Sequence, residues 1–120
     1  LPLPVSAPFH SSLMKPAAEK LRLALADTAF AVPQIPVVNN VDVLVRHDVD
    51  AIRDALYRQA FSAVRWVESV QALKALGITH IVESGPGKVL AGLTKRIDAE
   101  LTGLALFDLT TLTETREILS

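Results

Sequence analysis

The 120 residues include no cysteine, which excludes disulfides, thiolate metal sites and cysteine nucleophiles. That absence fits a reducing compartment, and a cytoplasmic location is the expectation. Charge of one sign is also missing. Twelve Lys and Arg against 13 Asp and Glu leave a net charge of −1, so no general polyanion-binding surface and no nucleic-acid partner are expected. A local basic patch remains open. No apolar run reaches the roughly 18 residues that span a bilayer, so no membrane partner is expected either. The opening Leu-Pro-Leu-Pro-Val has neither an initiator methionine nor the basic flank of a signal peptide, and it reads like a chain entered midway. A fragment of a larger protein is the expectation. Neither a repeat nor a low-complexity tract interrupts the chain.

What is present suits a globular unit: half of the residues are hydrophobic and 21% are charged. Three prolines in Leu1 to Pro8 predict an extended start. Helical spacing begins after Ser11 and Ser12, either of which could cap it. Leu13, Ala17, Leu21, Ala24, Leu25 and Thr28 share one face, and Pro33 ends the element. Ile35 to Val41 is β-branched and bounded by turn formers, which predicts a strand. Arg46 to Asp50 reads as a charged turn. Asp50 is placed to cap a helix to Gln59, with Ile52, Ala55 and Leu56 inward. A further helix from Val64 to Leu76 uses Val67, Val70 and Leu73, and Gly77 stands where a C′ residue belongs. Ile78 to Glu83 predicts a second strand. Leu90, Leu93, Ile97 and Leu101 predict an amphipathic helix stopped by Gly103, and Leu104 to Phe107 a last strand. Leu112 to Leu119 is read as a final helix.

Helices and strands that alternate across short connections point to an α/β fold of short parallel strands covered by helices. Three short strands leave two open sheet edges, which favours part of a larger α/β domain and predicts poor stability of the piece in isolation.

Among chemistry-bearing residues, His10 sits between the extended start and a helix, where a side chain can be aimed at a cleft. Histidine titrates near neutrality and suits proton transfer, but a lone histidine at a helix start also reads as a capping or exposed residue. Its neighbours add a second kind of information. Val5-Ser6-Ala7-Pro8-Phe9-His10-Ser11-Ser12-Leu13-Met14-Lys15-Pro16-Ala17-Ala18 closely resembles the segment around the active-site histidine of bacterial malonyl-CoA:acyl-carrier-protein transacylases. Pro36-Val37-Val38-Asn39-Asn40-Val41-Asp42-Val43 agrees in order and spacing, as do Ala51-Ile52-Arg53-Asp54-Ala55-Leu56 with Arg58-Gln59. Glu83-Ser84-Gly85-Pro86-Gly87-Lys88-Val89-Leu90 and Gly92-Leu93-Thr94-Lys95-Arg96-Ile97 continue the likeness, which fades after about Phe107.

The resemblance implies that the chain is the C-terminal part of the large subdomain of an α/β-hydrolase-like acyltransferase domain. In that family a serine, in a Gly-His-Ser-Leu-Gly elbow, attacks the malonyl thioester of coenzyme A. The histidine matching His10 takes the serine proton, then activates the phosphopantetheine thiol of acyl carrier protein. Malonyl-CoA and acyl carrier protein are the implied partners, fatty acid biosynthesis the implied setting, and no resident cofactor or metal is called for. The family orients its histidine through a backbone carbonyl at the position matching Gln59, so the third member need not be a carboxylate. The side chain at Gln59 also reads as an exposed helix terminus.

No serine of this sequence lies in a Gly-x-Ser-x-Gly frame. The elbow, the arginine that pairs with the malonyl carboxylate and the ferredoxin-like small subdomain all fall upstream of the matched region, and Leu1 to Val5 is read as the exit from that subdomain. The 120 residues alone are therefore expected to be inactive.

Phe9, just before the histidine, goes in related acyltransferases with malonyl rather than methylmalonyl, because bulk fills the place of an α-methyl group. It also reads as a core residue. Gly85-Pro86-Gly87-Lys88 joins a strand to a helix start whose N–H groups could hold an anion, and it lacks the spacing of a P-loop. The resemblance puts Gly87 and Val89 at the coenzyme A entrance, while a tight turn needing glycine explains the same residues. Lys88, Lys95 and Arg96, with Lys15, Arg53 and Arg58 on other helices, could steer an acidic carrier protein or simply form solvated faces. His47, Asp48 and Asp50 carry too few donors for a metal. His80 reads as packed or surface-exposed, Trp66 as core or half-buried on its helix, and Asn39-Asn40 as site-adjacent or strand-closing.

Two rival settings use the same acyltransferase chemistry: a polyketide synthase and a malonate decarboxylase system. A serine hydrolase and a non-catalytic interaction module are the alternatives outside that chemistry.

Overall fold

The computed structural model describes residues 7–120, so Leu1 to Ser6, with most of the expected extended start, lie outside the described residues. The chain forms two compact units, one ending at Ser69 and the other running from Val70 to Ser120.

In the first unit a 3-10 turn, Ser12–Met14, leads into α1, Lys15–Asp27. Pro16 stands in its first turn, where a missing N–H costs nothing. α2 is Val49–Gln59, and its N-cap is Asp48, not Asp50: the Asp48 carboxylate accepts from the Ala51 N–H at 2.8 Å. Asp50 lies inside the first turn and pairs with Arg53.

α1 and α2 pack together with Ala18 and Ala55 as their buried residues. Arg53 of α2 reaches the end of α1, donating to the carbonyls of Leu25 at 3.0 Å and Thr28 at 2.8 Å. The Leu25 carbonyl otherwise receives only the long 3.4 Å bond from the Thr28 N–H, so Arg53 serves as a C-cap supplied from a neighbouring helix. The expected apolar face of α1 is not buried by this unit. Leu13 is 73% and Leu21 39% exposed.

The strand expected over Ile35 to Val41 does not form. Its trace is one antiparallel bridge, Val38 to Val45, around a turn at Asn39–Leu44. Pro33 and Pro36 remove donors, and the Asn39 side chain accepts from the Val41 and Asp42 N–H groups, turning the chain. α3, Trp66–Ala75, begins in the first unit.

The second unit contains the end of α3, β1 (His80–Ser84), α4 (Val89–Ile97), β2 (Thr102–Leu106) and α5 (Leu109–Leu119). Gly77, at φ 86°, ends α3 with the Gly77 N–H on the Lys74 carbonyl and the Ile78 N–H on the Leu73 carbonyl, the paired bonds of a Schellman motif. β1 and β2 are parallel, pairing from His80 with Thr102 to Ser84 with Leu106, and α4 is the crossover packed on both. Among the described residues the sheet therefore has two strands, not the three expected.

Gly103 does not stop α4. Asp98 does, and Gly103 lies within β2, where an added Cβ would sit 2.3 Å from the Ala91 carbonyl oxygen of α4. α5 starts earlier than its apolar spacing suggests, at a capping box in which Asp108 and Thr111 satisfy each other's backbone N–H. Lys74 of α3 binds both Asp98 and Glu100, holding the exit of α4.

Among the described residues, buried apolar side chains are few: Ala18, Ala55, Val70 and Leu101. Large apolar side chains such as Leu13, Ile35, Val89 and Leu109 are each more than two-thirds exposed.

Candidate functional site

His10 stands in the left-handed region, at φ 57°, a conformation that costs a non-glycine residue roughly 1–2 kcal/mol. Local bonds hold it there: the Ser11 hydroxyl donates to the Pro8 carbonyl at 2.7 Å, and the Phe9 N–H to the Ala7 carbonyl at 2.8 Å. Ser11 thus uses its hydroxyl to shape the turn and makes no cap bond to the helix that follows.

The turn aims the ring at the end of α2, where His10 Nδ1 lies 3.0 Å from the Gln59 carbonyl oxygen. A carbonyl oxygen only accepts, so Nδ1 carries the proton and Nε2 is left with a lone pair. His10 is exposed, which leaves Nε2 accessible within this unit. Gln59 is the last residue of α2, where a carbonyl lacks an intrahelical donor.

Behind Gln59 stands a charged cluster that the sequence did not single out. Arg58 binds Asp54 at 2.6 Å and Asp42 at 3.0 Å, and Arg46 binds the same Asp42 oxygen at 2.6 Å. Burial pushes the Asp42 carboxyl up, but the Arg46 and Arg58 guanidiniums and Asn39 outweigh it and hold the group well below the usual carboxylate range. Next to it Val43 has φ 61°, an outlier for a β-branched residue.

A carboxyl with a depressed folded pKa stabilises the protein fully above the unfolded value and loses that contribution as pH falls through the folded one. On acidification from about pH 5 to about pH 2, the melting temperature of an intact protein carrying this segment is expected to fall more steeply than that of its Asp42→Asn variant. Parallel curves would contradict the assignment.

The remaining candidates fall as follows. Phe9 is 57% exposed, so it is not a core residue of this unit. An apolar cavity of about 210 Å³, lined by Phe30, Val37, Ile52, Leu56, Asn39 and Arg46, does not include His10 or Gln59. His47 is exposed, Asp48 caps α2, and among the described residues no group of three or more His, Asp or Glu is arranged to hold a metal ion. Trp66 is half-buried. Arg53 and Arg58 are committed to structural contacts, and Lys15 lies 5.6 Å from the centre of the Phe61 ring.

In the second unit, Gly85 at φ 140° and Gly87 at φ 131° require glycine, and Lys88 and Val89 open α4. The Glu83 carboxylate already accepts from the Ala91 N–H at 2.9 Å, so the helix start holds an anion of its own chain. A bound anionic group would have to share that position with Glu83. Lys88 and Lys95 make no ion pair among the described residues, and Val89 is 71% exposed.

The described residues thus include a parallel βαβ element and, separately, a histidine whose ring meets a main-chain carbonyl, features of an α/β class. No family model matches the chain. The malonyl CoA-acyl carrier protein transacylase of Salmonella typhimurium is 58% identical to it over 106 residues, which are 88% of this chain and 34% of that protein. The crystal structure of an acyl-carrier-protein S-malonyltransferase from Burkholderia pseudomallei superposes with a TM-score of 0.91 at 60% identity, over 98% of this chain and 38% of that one. A malonyl-transacylase solved with a type II polyketide acyl-carrier protein gives a TM-score of 0.93 at 48% identity, over 98% of this chain and 38% of that one. The chain belongs to the malonyl CoA-acyl carrier protein transacylase family, and it spans about a third of the length of the curated relatives it matches.

Proposed function

We propose that this chain is the histidine-bearing, C-terminal part of the large subdomain of a cytoplasmic acyltransferase. The intact protein would move malonyl from coenzyme A to the phosphopantetheine thiol of acyl carrier protein in fatty acid biosynthesis. The single observation that carries this reading is the 3.0 Å approach of His10 Nδ1 to the Gln59 carbonyl, which leaves Nε2 as the base.

A serine from outside these 120 residues supplies the nucleophile. Nε2 takes its hydroxyl proton as the oxygen attacks the malonyl thioester; the imidazolium returns that proton to the departing coenzyme A thiol. In the second half, Nε2 takes the proton of the carrier thiol, whose sulfur attacks the seryl ester, and the serine oxygen recovers the proton. The Gln59 carbonyl sits at the negative end of the α2 dipole, which suits the positive charge that forms on the ring. Thioester, serine and histidine supply all the chemistry, so the reading calls for no resident cofactor.

Phe9, adjacent to the base and exposed, would crowd an α-methyl group on the acyl chain. Gly87 and Val89 would border the coenzyme A entrance, and Lys88 and Lys95 would meet the acidic carrier protein.

A second setting has one specific support, the neighbour solved with a polyketide carrier protein at 48% identity. Incubating the intact protein with labelled malonyl-CoA and holo-acyl carrier protein tests the main reading. Carrier-bound malonyl is expected; carrier-independent release of malonate would indicate a hydrolase instead.

A further inference from the structure

The orientation of His10 depends on where one carbonyl points, and the last turn of a helix is where carbonyls are least constrained. Here that turn is gripped from outside. Arg58, immediately before Gln59, is held by Asp54 of its own helix and by Asp42 of the Asn39–Leu44 turn. The same turn reaches the other side of Gln59, because the Asn40 carbonyl accepts from the Arg65 N–H at 3.0 Å. Both flanks of the Gln59 to Arg65 connection are therefore tied to one turn.

That turn is itself over-determined. The Asn39 side chain bonds the Val41 and Asp42 N–H groups and the Leu44 carbonyl, Arg46 holds Asp42, and Val43 is kept at φ 61°. A β-branched residue persists in that region only where its surroundings enforce it, and such strain collects beside functional sites. Surface attraction alone does not explain the arrangement, since the Asp42 side chain is only 19% exposed and two arginines converge on one of its oxygens.

We propose that Asp42 and Arg58 are positioning residues for the His10–Gln59 pair: together they fix the C-terminal turn of α2 so that its last carbonyl meets Nδ1. This inference rests on the acyltransferase reading and goes further, assigning a role to two charged residues that touch neither the base nor the acyl group.

Asp42→Asn and Arg58→Lys, made in the intact protein, test it. Asp50→Asn is the control, a surface acid on the same helix whose side chain is 88% exposed. Asp42→Asn keeps the shape but loses the charge that holds both arginines. Arg58→Lys keeps the charge but cannot bond Asp42 and Asp54 in one planar fork. Either variant is expected to lower kcat about 10- to 100-fold, the scale of a small misplacement of a catalytic group, with KM for malonyl-CoA within about twofold. Ring-nitrogen NMR should show the His10 Nδ1–H tautomer giving way to a mixture, while Asp50→Asn matches wild type in both measurements.

A folded Asp42→Asn protein with wild-type kcat, or with reduced kcat and an unchanged His10 tautomer, would overturn the proposal. If Asp42→Asn does not fold, the same criteria apply to Arg58→Lys. His10→Ala run alongside separates the two levels. Loss of transfer in His10→Ala with full activity in Asp42→Asn rejects the positioning role alone, whereas full transfer in His10→Ala rejects the functional reading beneath it.

Discussion

Replacing His10 by Ala in the intact protein is expected to reduce malonyl transfer by about 10³-fold or more, the range for loss of the base that activates a nucleophilic serine. The geometry explains why the loss should be that large. Nδ1 is committed to the Gln59 carbonyl, so Nε2 is the one ring atom free to accept a proton, and Ser11 and Ser12 beside it cannot substitute as bases near neutral pH. The His10 backbone is already held at φ 57°, so the ring is presented by the fold and not chosen from many rotamers. The effect should appear in kcat for both half-reactions, because in the proposed mechanism the same nitrogen serves serine and carrier thiol. Wild-type turnover by His10→Ala would remove the basis of the assignment.

The second large effect concerns stability and carries its own control. Gly103→Ala is expected to lower the stability of the intact protein by about 2–3 kcal/mol, the cost of forcing atoms into a packed contact. The new Cβ would lie 2.3 Å from the Ala91 carbonyl oxygen, a backbone atom of a helix packed on both strands, so relief requires moving α4 itself. Gly92→Ala, on α4, should do the opposite. Its Cβ meets nothing within 4 Å, and exchanging glycine for alanine within a helix stabilises by roughly 0.5–1 kcal/mol. Thermal melts of the two variants should move in opposite directions. A shared direction would mean that α4 does not lie on β2 as described.

These two positions also show what a sequence can reveal. Elements with local punctuation were legible: the α3 terminus at Gly77, the α2 terminus at Gln59, and the strand–glycine–helix order around Gly85 and Gly87. Their signals lie within a few residues of the structure they specify. Gly103 was misread as a helix stop because the reason for it is Ala91, which is close only after α4 folds back over β2. Ile35 to Val41 was misread as a strand because β-propensity needs a partner, and the described residues offer it only the bridge to Val45.

The site divided in the same way. His10 stood out through its neighbours in the chain, whereas Asp42, Arg46 and Arg58 form a cluster only across the turn and α2. Arg53 reads from the sequence as one of the cations that could meet a carrier protein; its partners are Asp50 and two carbonyls at the end of α1, 25 and 28 residues away in sequence. The helix start at Val89 reads from the sequence as open to an anion, but the Glu83 carboxylate accepts its Ala91 N–H.

Everything proposed for the chemistry depends on which nitrogen of His10 carries the proton. Ring-nitrogen NMR on the intact protein with labelled histidine, at a pH where the ring is neutral, reads this directly. A neutral His10 with the proton on Nδ1 and a lone pair on Nε2 is the predicted result; a proton on Nε2, with Nδ1 unprotonated, would contradict the account.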